Sequence, residues 1–198
     1  GLRAVGVELR CNGAIEQVRA RKEVIVSAGA FGSPQLLMLS GLGPKAHLEQ
    51  HGIPVLKDLP GVGQNLQDHV TSSIIFRTPR WKDTIGNSLR GAWELLKAVF
   101  EWRSQRTGWI ATPVSETNGW VSTCGNPDHP DIQFALLPSI VDNHTRRQHL
   151  GHGFTLHTTL MRPQSRGSVT LQSADPHQAP RIDPGFLTHP DDMAVSIK

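Results

Sequence analysis

The residues of this chain best suited to chemistry lie between 28 and 43, in the run A-G-A-F-G-S-P-Q-L-L-M-L-S-G-L-G. Just ahead of them, residues 22–27 (K-E-V-I-V-S) form a short β-branched run of the kind that makes a buried strand. Ala28, Gly29 and Ala30 follow as a small-residue turn, where no side chain would hold a ligand away from the backbone. Ser33 offers an N-cap and Pro34 suits a first helical position. The spacing therefore predicts a helix from there through residues 35–39, stopped by Gly41 and Gly43. A strand that delivers a helix N-terminus through a glycine turn presents backbone N–H groups and the positive end of the helix dipole. That arrangement suits an anionic or electron-rich ligand.

Other polar groups invite weaker readings. Asn65, Asp68 and His69 sit in a glycine-punctuated segment, residues 59–69 (L-P-G-V-G-Q-N-L-Q-D-H), where Asn and Asp commonly bond the local backbone. His157 shares one face of a predicted strand with Thr155 and Thr159, either as a hydrogen-bonded structural residue or facing a pocket. His144, His149, His152 and His157 cluster in sequence without H-E-x-x-H or C-x-x-C spacing, so no metal site is expected. Serine-hydrolase chemistry has no G-x-S-x-G or S-x-x-K to rest on. The patches G-L-G at 41–43 and G-V-G at 61–63 neither follow a strand nor open a helix, and so are not dinucleotide fingerprints.

Two of these segments, in this order and at this distance, resemble the glucose–methanol–choline (GMC) flavoprotein oxidoreductases. Residues 29–43 look like the family's second signature, and residues 60–69 (P-G-V-G-Q-N-L-Q-D-H) match its PGVGxNLxDH segment. R-P-Q-S-R-G at 162–167, followed by S-V-T-L and then R-I-D-P at 181–184, fits as well. The nearest likeness is to choline dehydrogenase-like and alcohol dehydrogenase-like members. The resemblance implies FAD as cofactor in the full-length enzyme, with Ala28, Gly29, Ala30, Ser33 and Pro34 at the flavin and Asn65, Asp68 and His69 in a loop covering it. It also implies a G-x-G-x-x-G unit before residue 1 and a catalytic His after Lys198. No residue present is then expected to be catalytic, and the fragment alone is expected to be inactive and to bind no FAD.

Glu116 and His157 are the substrate-binding candidates that follow from the same resemblance. In choline-oxidising relatives a glutamate in the position of Glu116 faces the quaternary ammonium, and a permanent cation in a pocket needs a counter-charge or aromatic faces. The chain has no Tyr, so an aromatic cage would fall to Trp or Phe such as Trp120, which weakens choline against a neutral alcohol. The expected function is the middle section of an FAD-dependent alcohol dehydrogenase or oxidase, moving hydride from a primary alcohol or choline-like substrate to flavin. The rival is a non-catalytic interaction module derived from the same fold. The expected small-molecule partner is the alcohol. The electron acceptor is left open, and self-association of the fragment is a further expectation.

Composition sets bounds on these readings. A net charge of +3 with scattered basic residues lacks the clustered stripe of a nucleic-acid binder. Hydrophobic residues make up 37% of the chain, enough for a core, but no apolar run approaches the ~20 residues of a membrane span. A cytoplasmic location is expected, with peripheral association to the inner membrane open for the full-length enzyme. Cys11 and Cys124 lie far apart and read as reduced thiols.

The elements that must position the candidates follow from periodicity. Alternation and the Asn12-Gly13 signal predict a hairpin across residues 2–20. A short helix is expected at 44–51, ended by Gly52, with extended chain at 54–59. Strands are expected at 70–78, 131–137, 154–161 and 168–172, and a helix at 190–198. Residues 87–103 repeat Leu89, Ala92, Trp93, Leu96 and Phe100 at helical spacing, which reads as a stripe packed into a core. The fold class is α+β, an α/β remnant of an FAD-binding domain (1–71) followed by an antiparallel sheet with helices, the GMC substrate domain (72–198).

Overall fold

The structure, a computed structural model, describes residues 3–198 apart from 81, 83, 114, 116, 144, 145 and 148. The chain forms two compact units, Gly1–Leu66 with Gly167–Asp183, and Gln67–Arg166 with Pro184–Lys198. Helices and antiparallel strands are mixed throughout, as α+β requires.

The first unit opens with β1 (Gly6–Cys11) and β2 (Ala14–Arg19), an antiparallel hairpin in full register around the Asn12-Gly13 turn. Residues 22–27 do not form the expected strand. A strand exists through the partners that bond its edges; among the described residues no strand pairs with this run, and Ile25 stands 77% exposed. Helix α1 (Gly29–Leu39) follows, then β3 (Leu42–Gly43), α2 (Lys45–Gln50), β4 (Lys57–Asp58) and β5 (Gln64–Leu66). β3 and β4 pair in parallel. Met38, Leu48, Ile53 and Leu171 form the buried core here, with Leu39, Val55 and Val62 packed against it.

The second unit contains β6 (Val70–Arg77), α3 (Leu89–Gln105), a short 3-10 turn at Trp109–Ala111, β7 (Thr117–Val121), β8 (Ile132–Leu137) and β9 (Gly153–Leu160). The four strands make one antiparallel sheet in the order β6-β9-β8-β7. α3 is capped by Ser88, whose hydroxyl accepts the Gly91 N–H at 3.0 Å and is itself hydrogen-bonded to His152 Nε2 at 2.7 Å. The expected core stripe on α3 turns out otherwise. Ala98 is the buried residue of the helix, while Trp93 and Phe100 are 59% and 65% exposed. Periodicity defines an apolar side but not the direction in which it points, and α3 packs through the opposite side.

The chain then returns to the first unit as β10 (Gly167–Thr170) and β11 (Arg181–Asp183), with β10 between β11 and β5. Residues 167–183, grouped by sequence with the second region, thus pack in the first unit. Gly63 makes this pairing close. Its carbonyl accepts the Val169 N–H at 2.6 Å, its φ is +79°, and an added Cβ would run into the Val169 carbonyl oxygen. The last helix, α4 (Pro190–Ile197), belongs to the second unit and contacts β9.

Candidate functional site

α1 begins at Gly29, five residues before the start at Pro34 that a Ser33 cap suggests. Gly29 takes φ +76°, with open space where a Cβ would stand, and the surrounding residues 27–31 are exposed. Ser33 does not cap from outside. It lies within the helix, and its hydroxyl accepts the Ala28 N–H at 3.0 Å, closing the turn from inside. Pro34 is also internal and supplies no N–H toward the Ala30 carbonyl. No acidic residue occupies the first turn and no side chain caps it. The Ala28 N–H is taken by Ser33, but the N–H groups of the first turn proper have no intrahelical acceptors by geometry, so Gly29 and Ala30, with Ala28 beside them, form an exposed, electropositive turn. An electron-rich ring edge or an anion fits it.

Asn65 lies in β5 at φ +63°, beside the bulge where the β10 register shifts between Gly167 and Ser168. Its side chain is exposed. Asp68 and His69 belong to the second unit, where the Asp68 carboxylate accepts the His69 N–H at 2.8 Å. They line a polar pocket of about 420 Å³ with Met161, Arg162, Gln164 and Arg166. Sequence spacing gave no role to these two arginines, although the R-P-Q-S-R-G turn that carries them was visible.

That turn is held by a buried carboxylate. Asp192 on α4 is 2% exposed and accepts the Gln164 and Ser165 N–H groups, each at 2.8 Å, and the Ser165 hydroxyl. The same hydroxyl oxygen accepts the His189 N–H at 3.0 Å. Burial alone would raise the Asp192 pKa, but the donors from Gln164 and Ser165, with His189 nearby, bring it below the ordinary carboxylate value. The Arg166 guanidinium donates back to the Pro163 and Ser165 carbonyls at 2.7 and 3.0 Å, which holds it against the turn.

His157 sits on β9 between Ser73 of β6 and Ala135 of β8, on the polar face of the sheet. The same face carries Thr71 and Thr159, whose hydroxyls are 3.0 Å apart, and Gln133, which donates to Asn118 Oδ1 at 3.3 Å. Glu116 lies outside the described residues, as does His144. His149 and His152 have separate partners, Asp142 at 2.7 Å for one and Ser88 with Thr84 for the other. Among the described residues, no three His, Cys, Asp or Glu side chains converge as metal ligands would. The candidates thus fall into three groups: the α1 turn with Asn65 in the first unit, Asp68 and His69 at the arginine pocket, and His157 on the sheet.

GMC oxidoreductase family models match residues 1–71 and 163–198, together just over half of the chain, and the chain belongs to this family. It is 40% identical to an oxygen-dependent choline dehydrogenase of Brucella ovis over 98% of its length, and 39% identical to alcohol dehydrogenase [acceptor] of Pseudomonas putida over 98%. The chain spans 35% and 36% of those two relatives. Among solved structures, formate oxidase from Aspergillus oryzae superposes with TM-score 0.83 at 26% identity, covering 97% of this chain and 38% of that one.

Proposed function

We propose that this chain is the middle part of an FAD-dependent oxidoreductase that removes hydride from an alcohol carbon. The observation that carries this reading is the open N-terminus of α1 at Ala28, Gly29 and Ala30, in a chain whose relatives include choline and alcohol dehydrogenases. FAD, when bound, supplies the hydride acceptor. The chain's own contribution is to orient and to stabilise charge. The first-turn N–H groups and the dipole of α1 favour negative charge that develops at a ring edge. Asn65, Asp68 and His69 would help to hold the same cofactor. His157, with the neighbouring hydroxyls of the β9 face, orients a substrate hydroxyl. Glu116 supplies the counter-charge if the substrate is cationic.

The substrate class favoured is a primary alcohol, neutral rather than quaternary, because this section of the protein brings no Tyr to an aromatic cage. Anaerobic addition of primary alcohols and of choline to the full-length flavoprotein tests this. Bleaching of the flavin band by alcohols is expected, with choline slower. A protein without flavin, or a flavin that neither substrate reduces, contradicts the assignment.

A further inference from the structure

β6 starts and β9 ends at the same place in the sheet, where Val70 pairs with Leu160. The segment Gln67–His69 therefore enters the sheet beside the point from which the chain leaves for the R-P-Q-S-R-G turn. Residues 67–69 and residues 161–164 with Arg166 line one polar pocket, and all of them belong to the second unit.

Sheet pairing does not shape this turn, since residues 161–166 belong to no strand or helix. The Met161 N–H goes to the Asp131 carbonyl at 2.8 Å. Further on, the N–H groups of Gln164 and Ser165 and the Ser165 hydroxyl all end on the Asp192 carboxylate. Asp192 and Ser165 are 2% and 5% exposed, so this bonding is shielded from water. The turn is also bonded in return: the Ser165 hydroxyl oxygen accepts the N–H of His189, the residue that caps α4. Burying a carboxylate is costly unless its hydrogen bonds are complete, and complete bonds of this kind hold the partner backbone in one course. One side of the pocket thus takes its shape from a charge that is itself hidden from it.

We infer that Asp192 is a positioning residue of the flavin site: it holds the turn beside which Gln67, Asp68 and His69 are set. The inference rests on the reading of Asp68 and His69 at the cofactor. Asp192 touches neither flavin nor substrate and acts through Gln164 and Ser165. A site group keeps its geometry only while the residues behind it are locked, and small misplacements are costly.

The test compares Asp192→Asn, Ser165→Ala and His69→Ala in the full-length flavoprotein with Thr84→Val. The last removes a buried hydroxyl of the same unit, bonded to the Arg80 carbonyl at 3.2 Å and apart from the turn. Hydrogen exchange reads the polypeptide alone, and Asp192→Asn should speed exchange over residues 67–69 and 162–166 where Thr84→Val does not. Visible circular dichroism and the reduction potential read the flavin at equal occupancy. Both should shift in Asp192→Asn in the direction of His69→Ala, and less in Ser165→Ala. The kcat for an alcohol should fall by about tenfold with KM nearly unchanged. Should Asp192→Asn fail to fold, Ser165→Ala decides by the same readouts. If His69→Ala alters the flavin signals and neither turn variant does, the proposal fails while the cofactor reading of the loop stands. If His69→Ala leaves them unaltered as well, both fall. Equal shifts in Thr84→Val make the effect a general loosening of the unit and overturn the positioning role.

Discussion

Asp192 shows how a single buried side chain shapes the second unit. Its carboxylate gathers three donors of the R-P-Q-S-R-G turn, and that turn carries both pocket arginines. Asp192→Asn should cost about 2–3 kcal/mol in chemical denaturation, since it replaces a charged acceptor of buried N–H groups with a neutral one that also donates. The folded pKa of Asp192 is lowered, so its contribution is present above the unfolded value near 3.9 and is lost as pH falls through the folded value. His47 follows the opposite chemistry with a related outcome. Its Nε2 accepts the Leu171 N–H at 3.0 Å, and burial, then the nearby His51, lowers its pKa. The folded state holds it neutral, so stability is full above the unfolded value near 6.5 and falls as pH drops below it. Denaturation of wild type and His47→Gln between neutral and mildly acidic pH should show a smaller acid loss in the variant. Equal losses would remove His47 from the account. At the substrate side, Glu116→Gln in the full-length enzyme should raise KM for choline with little change in kcat, and leave a neutral alcohol nearly unaffected. An unchanged choline KM would remove Glu116 from the site.

At the level of elements, Gly63 ties β5 to β10 across more than a hundred residues. Gly63→Ala meets both a left-handed φ and the Val169 carbonyl oxygen, so it should lose more than the ~1–2 kcal/mol of the φ term alone. A loss below that in thermal denaturation would show that the β10 pairing gives way freely. The same pairing marks the limit of what the sequence makes legible. The hairpin, α2, β6, β8 and β9 follow from local alternation and turn residues, because each signal acts within a few positions. The placement of residues 167–183 beside β5 depends on a partner far along the chain, which alternation does not encode. Residues 22–27 read as a strand from β-branching, yet a strand also needs neighbours. For α1 the small residues 28–30 mark the turn, but Ser33 and Pro34 mislead about the start because the Ser33 hydroxyl closes the turn from inside the helix. Arg162 and Arg166 become visible as pocket residues only once the turn is folded against Asp68 and His69.

For the whole molecule, the matched relatives are nearly three times longer, and the apolar groups left in water are numerous. Ile25, Val26 and Leu36 of the first unit are 77%, 38% and 43% exposed. Exposed apolar area costs roughly 25 cal/mol per Å², so the isolated 198-residue chain should self-associate in light scattering and show negligible alcohol-dependent dye reduction. A monodisperse monomer that turns over an alcohol would contradict both expectations. The central claim is that the α1 turn faces the flavin of a GMC oxidoreductase, and Gly29→Val in the full-length enzyme tests it most directly. A β-branched side chain there opposes φ +76° and fills the open space above the backbone. Flavin content per protein, measured from the absorbance spectrum of the purified variant, should fall strongly, and any flavin retained should be harder to reduce. Full flavin occupancy with an unaltered reduction potential would contradict the account.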